Sequence, residues 1–106
     1  MTEKLNLIFY AAGVKFRPNW KNNLMELTTG EELALVPEPD NKFDKNAVKI
    51  VSKLDGTHLG YVPAKTGEAA IISSALAAGR ELKAIVFELL PEFEPWKALE
   101  VEVKED

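Results

Sequence analysis

The sequence predicts a mainly β domain, a small six-stranded barrel of OB or SH3-like architecture with one α-helix across an opening. Three observations lead there. Near the N-terminus Leu5, Leu7 and Phe9 alternate with Asn6, Ile8 and Tyr10, and near the C-terminus Leu99, Val101 and Val103 alternate with Glu100 and Glu102, the two-residue period of half-buried strands. Between them, short apolar runs recur, each bounded by Pro, Gly, Asn or Asp. Only the stretch between Pro63 and Gly79 spaces its apolar residues as a helix does.

The first strand is expected over residues 5–12, with Gly13 permitting a sharp departure. Arg17-Pro18-Asn19-Trp20-Lys21-Asn22-Asn23 is dense in turn formers and reads as a loop before a second strand, Glu32 to Val36, closed by Pro37 and Pro39. A loop from Glu38 to Lys45 leads to a third strand at Ala47 to Val51. Asp55-Gly56 then turns the chain into a fourth at His58 to Val62, its antiparallel neighbour. Pro63 and Thr66 stand where the helix begins, Ala69, Ile72, Ala75, Leu76 and Ala78 fall largely on one face, and Gly79 ends it. Leu82 to Leu90 is the fifth strand, Pro91 to Pro95 a loop, and Leu99 to Val103 the last strand, its glutamates turned to water. No repeat or linker interrupts residues 1–106, so a single domain is expected.

At 46% hydrophobic and 28% charged, the composition is that of an ordinary globular protein. No segment approaches the ~20 apolar residues of a membrane span, and no signal peptide is recognisable, so the expected location is cytoplasmic, away from membrane. Cysteine is absent, which rules out disulfides, a thiolate nucleophile and cysteine-ligated zinc. The net charge of −4 argues at first against nucleic acid, but its distribution reverses the argument. Residues 88–106 hold seven acids against Lys97 and Lys104, which leaves the first 87 residues at +1. From Lys4 to Met25 there are four bases, Lys4, Lys15, Arg17 and Lys21, no acid, and Phe16 and Trp20 set among them. This is either a modest basic patch or an ordinary solvated loop.

Catalytic and metal chemistry find little support. His58 is the one histidine, and its place in a strand pattern beside Gly60 favours a structural role over a catalytic base. The acids of Asp40-Asn41-Lys42-Phe43-Asp44-Lys45 resemble a calcium loop but fail it, with Lys42 at a ligand position, Lys45 where glycine is required and Val51 where the bidentate glutamate should stand. No glycine pattern cradles phosphate. No metal, no cofactor and no catalytic residue is expected, and a small hydrolase would need His58 or a carboxylate pair in a cleft.

Three segments, taken together, resemble HIRAN domains: Ala11-Ala12-Gly13-Val14-Lys15-Phe16-Arg17, the long run Leu35 to Ile50 with Glu38-Pro39-Asp40-Asn41-Lys42-Phe43-Asp44-Lys45-Asn46-Ala47 at its centre, and Leu59-Gly60-Tyr61-Val62-Pro63. The resemblance spans roughly residues 5–103 and is that of a stand-alone bacterial or phage domain. It implies a binding module, with no chemistry of its own, for the 3′ end of single-stranded DNA in DNA repair, working with a protein partner that supplies a helicase or nuclease. Carried over from the family's pocket, Phe16 and Phe43 would stack on bases, Asp44 would accept a hydrogen bond from the 3′-hydroxyl, Lys15 would contact phosphate, and Tyr61 would lie beside the pocket. Relatives tend to carry tyrosine where this chain has Phe16 and Phe43, and Ala64 stands where a base could start the helix.

Each role has a plainer competitor. Phe16 and Phe43 also fit a core, although both lie in turn-rich stretches where burial is less automatic. Asp44 fits an Asx turn, Lys15 a solvated charge, and Tyr61 the closing of the barrel core. The alternative function keeps the fold and makes the concave aromatic surface a protein-interaction or regulatory module. Trp96 and Phe93 are candidates for a further wall.

Overall fold

A computed structural model describes residues 4–92 and 94–105. Phe93 lies outside the described residues. Six antiparallel strands form one curled sheet: β1 (Asn6–Tyr10), β2 (Glu32–Pro37), β3 (Val48–Ser52), β4 (His58–Tyr61), β5 (Leu82–Leu89) and β6 (Leu99–Glu105), in the order β1-β6-β5-β2-β3-β4. The main helix, α2, spans Glu68–Ala77.

The alternation read in the sequence sets the inward face. Phe9 pairs with Val101 and Leu7 with Val103, and Val101, Val103, Val86, Ile50 and Val48 are wholly buried. Ile72 of α2 joins the same core. The helix ends as its sequence predicts: the Gly79 N–H donates to Leu76 O and the Arg80 N–H to Ala75 O, both at 3.0 Å, a Schellman closure. Its start lies later than expected, at Glu68, because the turn from Pro63 to Gly67 precedes the first helical residue.

Two further features differ from the sequence reading. Within the stretch taken as loop, Trp20–Met25 form a short helix, α1, that buries Leu24. Asn19 starts it at φ 57, and the Asn23 amide returns to Pro18 O at 3.1 Å, so the turn-forming residues act here as a helix start. The acids of β6 are also not fully turned to water. Glu100 is half-buried directly opposite Glu88, and burial followed by that like charge pushes its carboxyl above the usual range.

The two edge strands meet at one end. Beyond β1, Ala12 and Tyr61 of β4 exchange both backbone hydrogen bonds at 2.8 Å, which draws the curled sheet shut there. Gly60 makes that approach possible: a Cβ on it would stand 2.8 Å from Ala12 O and 3.2 Å from the Val14 side chain. Gly13, at φ 70, then turns the chain out of β1 into a 3-10 turn at Val14–Phe16.

Candidate nucleic-acid interface

The closure carries an open cavity of about 430 Å³, lined by Phe16, Phe43, Asp44 and Tyr61 together with Arg17, Asn41 and small apolar residues. Four of the five residues singled out in the sequence therefore meet in one place. None of the described residues of 88–105 lines it, although Pro95 and Trp96 adjoin it across Phe16.

Phe43 reaches the cavity through a cascade of side-chain turns. Asn41 Oδ1 accepts from the N–H groups of Phe43 and Asp44 at 2.9 and 3.0 Å, and Asp44 Oδ1 accepts from the Asn46 N–H at 2.8 Å. Glu38 N–H to Ala47 O, 2.8 Å, closes the base of the loop. With its backbone held this way the Phe43 ring stands 97% exposed. Phe16 is 69% exposed at the end of the 3-10 turn, where the buried Val14 anchors the chain. The core reading of both rings is thereby overturned. Asp44 does serve as an Asx turn, through Oδ1 alone; Oδ2 has no protein partner among the described residues.

Tyr61 combines its two readings, since its backbone closes the barrel while its half-buried ring walls the cavity. Its hydroxyl donates to Glu38 Oε1 at 2.8 Å, and Asn41 Nδ2 donates to the same oxygen at 3.1 Å. Lys49 Nζ stands 3.7 Å from Glu38 Oε2. The hydrogen bond from Tyr61, with that from Asn41, holds the Glu38 carboxyl below its ordinary range, while burial and the Glu38 bond push the Tyr61 phenol up. Glu38 is thus the hub that ties the Phe43 loop to β4. The sequence displayed it only as the acid opening the run Glu38 to Ala47.

Lys15 does not line this cavity. Its ammonium lies 5.1 Å from the Phe16 ring centroid, and the residue faces a neighbouring cavity of about 250 Å³ with Trp96 and Pro95. The cation in the main cavity is Arg17, which sequence reasoning counted among the bases without giving it a role. Arg17 Nη1 donates to His58 Nδ1 at 2.8 Å, and His58 Nε2–H donates to Gly60 O at 3.0 Å. Guanidinium can only donate, so Nδ1 must be the unprotonated nitrogen and the ring is neutral. Burial, then Arg17, pushes the imidazole below its ordinary range. With both nitrogens engaged and its ring edge-on to Tyr61 at 4.8 Å, His58 is held as a structural group beside two of the lining residues, Arg17 and Tyr61.

Two solved structures share this fold. A protein from Lactobacillus plantarum superposes with a TM-score of 0.79 at 19% identity, over 97% of each chain. The HIRAN domain of human HLTF superposes with a TM-score of 0.72 at 16% identity, covering 94% of this chain and 74% of that one. No curated protein matches the sequence. The sequence model of the HIRAN domain matches residues 4–90, which takes in β1 through β5 and every residue of the cavity, and the chain belongs to the HIRAN domain family.

Proposed function

We propose that the chain is a non-catalytic module that clasps the free 3′ end of single-stranded DNA, stacking terminal bases on Phe43 and Phe16 while Asp44 accepts a hydrogen bond from the 3′-hydroxyl. The observation that carries this reading is the exposure of two phenylalanines beside an aspartate whose Oδ2 is unpartnered among the described residues, all around one cavity. Exposed rings held by a hydrogen-bonded loop and a 3-10 turn are a stacking platform. Each base stacked contributes on the order of 1–3 kcal/mol, with little regard to sequence.

Tyr61 walls the site, and Lys15 serves as a phosphate contact on the outer side of Phe16. Asp44 gives selectivity for an unmodified end: a 3′-phosphate removes the donor and brings like charge against the carboxylate. With so few cations near the rings, affinity is expected around the micromolar range, with a shallow salt dependence. A module of this kind acts by presenting a strand end to a helicase or nuclease partner, as in DNA repair within the cytoplasm.

The test is fluorescence anisotropy with a short labelled strand ending in 3′-hydroxyl, beside the same strand ending in 3′-phosphate. Asp44→Asn is the informative variant, since its side-chain oxygen can keep the turn to Asn46 while the charge is lost. Wild type is expected to prefer the hydroxyl by about tenfold or more, and the variant to lose the preference. Equal binding of both ends by wild type would refute end recognition. Absence of binding to either would turn the same aromatic surface over to a peptide or partner protein.

A further inference from the structure

Arg17 is a partly buried cation that shares its cavity with the Asp44 carboxylate without pairing to it. Among the described residues it makes no ion pair with a carboxylate; its partner is the neutral Nδ1 of His58. Its Nε is buried and has no hydrogen-bond partner among the described residues. A buried N–H on a charged group left unpaired is costly, by more than a neutral group would be. Nε itself is closed to a ligand, and the guanidinium nitrogen left open to one is Nη2, whose charged donors match phosphate or carboxylate oxygens.

Arg17 also lines the cavity that holds Phe16, Phe43 and Asp44, so an anion on it would lie beside stacked bases. A nucleotide phosphate satisfies both conditions. His58 fixes the geometry. It is held in turn by Gly60 O, by edge contact with the Tyr61 ring, and within the fields of Glu38 and Lys49, and it presents Nδ1 to one guanidinium nitrogen.

We infer that Arg17, positioned by His58, is the anion-binding group of the cavity, and that it takes a backbone phosphate of the strand whose end the aromatic rings hold. The identity of that phosphate rests on the strand-end reading; the anion site itself does not. Lys15, turned toward Trp96 on the far side of Phe16, is then a secondary contact.

Two measurements on the intact chain separate these claims. The first follows the Arg17 Nε–H resonance by NMR as inorganic phosphate is added. The second measures strand affinity against salt for wild type, Arg17→Gln, Arg17→Lys, His58→Gln and His58→Leu, with folding checked by the amide spectrum. Expected are a saturable shift of the Nε–H signal, and an affinity loss of about tenfold in Arg17→Gln with a salt slope shallower by about 0.7. Arg17→Lys should keep the slope but not the affinity. His58→Gln, whose Oε1 can still accept, should stay near wild type, while His58→Leu should approach Arg17→Gln.

Strand binding with affinity and slope unchanged in Arg17→Gln would overturn the assignment and leave the strand-end function standing. A phosphate-dependent Arg17 shift in a protein that binds no strand would keep the anion site and overturn the strand-end function. Failure of both measurements would overturn both.

Discussion

Phe43 and Val14 show how differently two apolar residues are used. Val14 is 2% exposed and anchors the turn that carries Phe16, whereas Phe43 is 97% exposed and contributes almost nothing to the core. Removal of the Phe43 ring should therefore separate stability from binding. Phe43→Ala is expected to change unfolding free energy by no more than about 0.5 kcal/mol and to weaken strand binding by about 1–3 kcal/mol. Chemical denaturation and anisotropy on the same preparation check the two halves. A large loss of stability would mean that the ring packs where the structure leaves it bare.

Among the elements, the junction of β1 and β4 governs the site. Phe16 and Arg17 arrive from one strand and Tyr61 and His58 belong to the other, so the cavity exists only while Ala12 and Tyr61 stay paired. Gly60 sets their distance. The atom a new Cβ would meet at 2.8 Å is the Ala12 backbone oxygen, which cannot swing aside as a side chain would. Gly60→Ala is expected to push the strands apart, to cost about 1–3 kcal/mol by overpacking, and to speed amide exchange at Ala12 and Tyr61 ahead of the rest of the sheet. Exchange at those two amides as slow as in wild type would show that the junction tolerates the methyl group.

Across the whole molecule, one ion pair joins parts of the chain that are far apart in sequence. Arg80, just after α2, donates from Nε to Glu105 Oε2 at 2.8 Å and from Nη2 to Oε1, and Oε1 also accepts from the Leu5 N–H at 3.0 Å. The helix exit, the end of β6 and the entry to β1 are thereby fastened together. The Arg80 bonds, then the Leu5 N–H, pull the Glu105 carboxyl from 4.5 to about 2. Because the folded state favours the ionised form, the stabilisation is complete above pH 4.5 and is lost as pH falls through about 2. Unfolding free energy measured between those limits should fall with acid in wild type and show a shallower fall in Glu105→Gln. Equal slopes would place the acid sensitivity in other carboxylates.

The sequence by itself determined the strand set, the main helix with its glycine end, and the family. These rest on local rules: a two-residue period exposes one strand face, and Gly or Pro stops an element wherever it stands. The resemblance also marked Phe16, Phe43, Asp44 and Tyr61, drawn from three separate segments of which the run Glu38 to Ala47 holds only Phe43 and Asp44. Tertiary structure alone decided the rest. Asn19 and Pro18 read as turn formers and became the start of α1, since turn and helix start ask for the same backbone chemistry. Exposure of the two phenylalanines depends on which loops cross above the barrel, which no period encodes. The exchange of Lys15 for Arg17 as the cavity's cation has the same origin. Lys15 lies within the 3-10 turn and Arg17 at its extended end, so two residues of one basic cluster face different cavities, and only the folded chain shows that His58, 41 residues away, bonds Arg17.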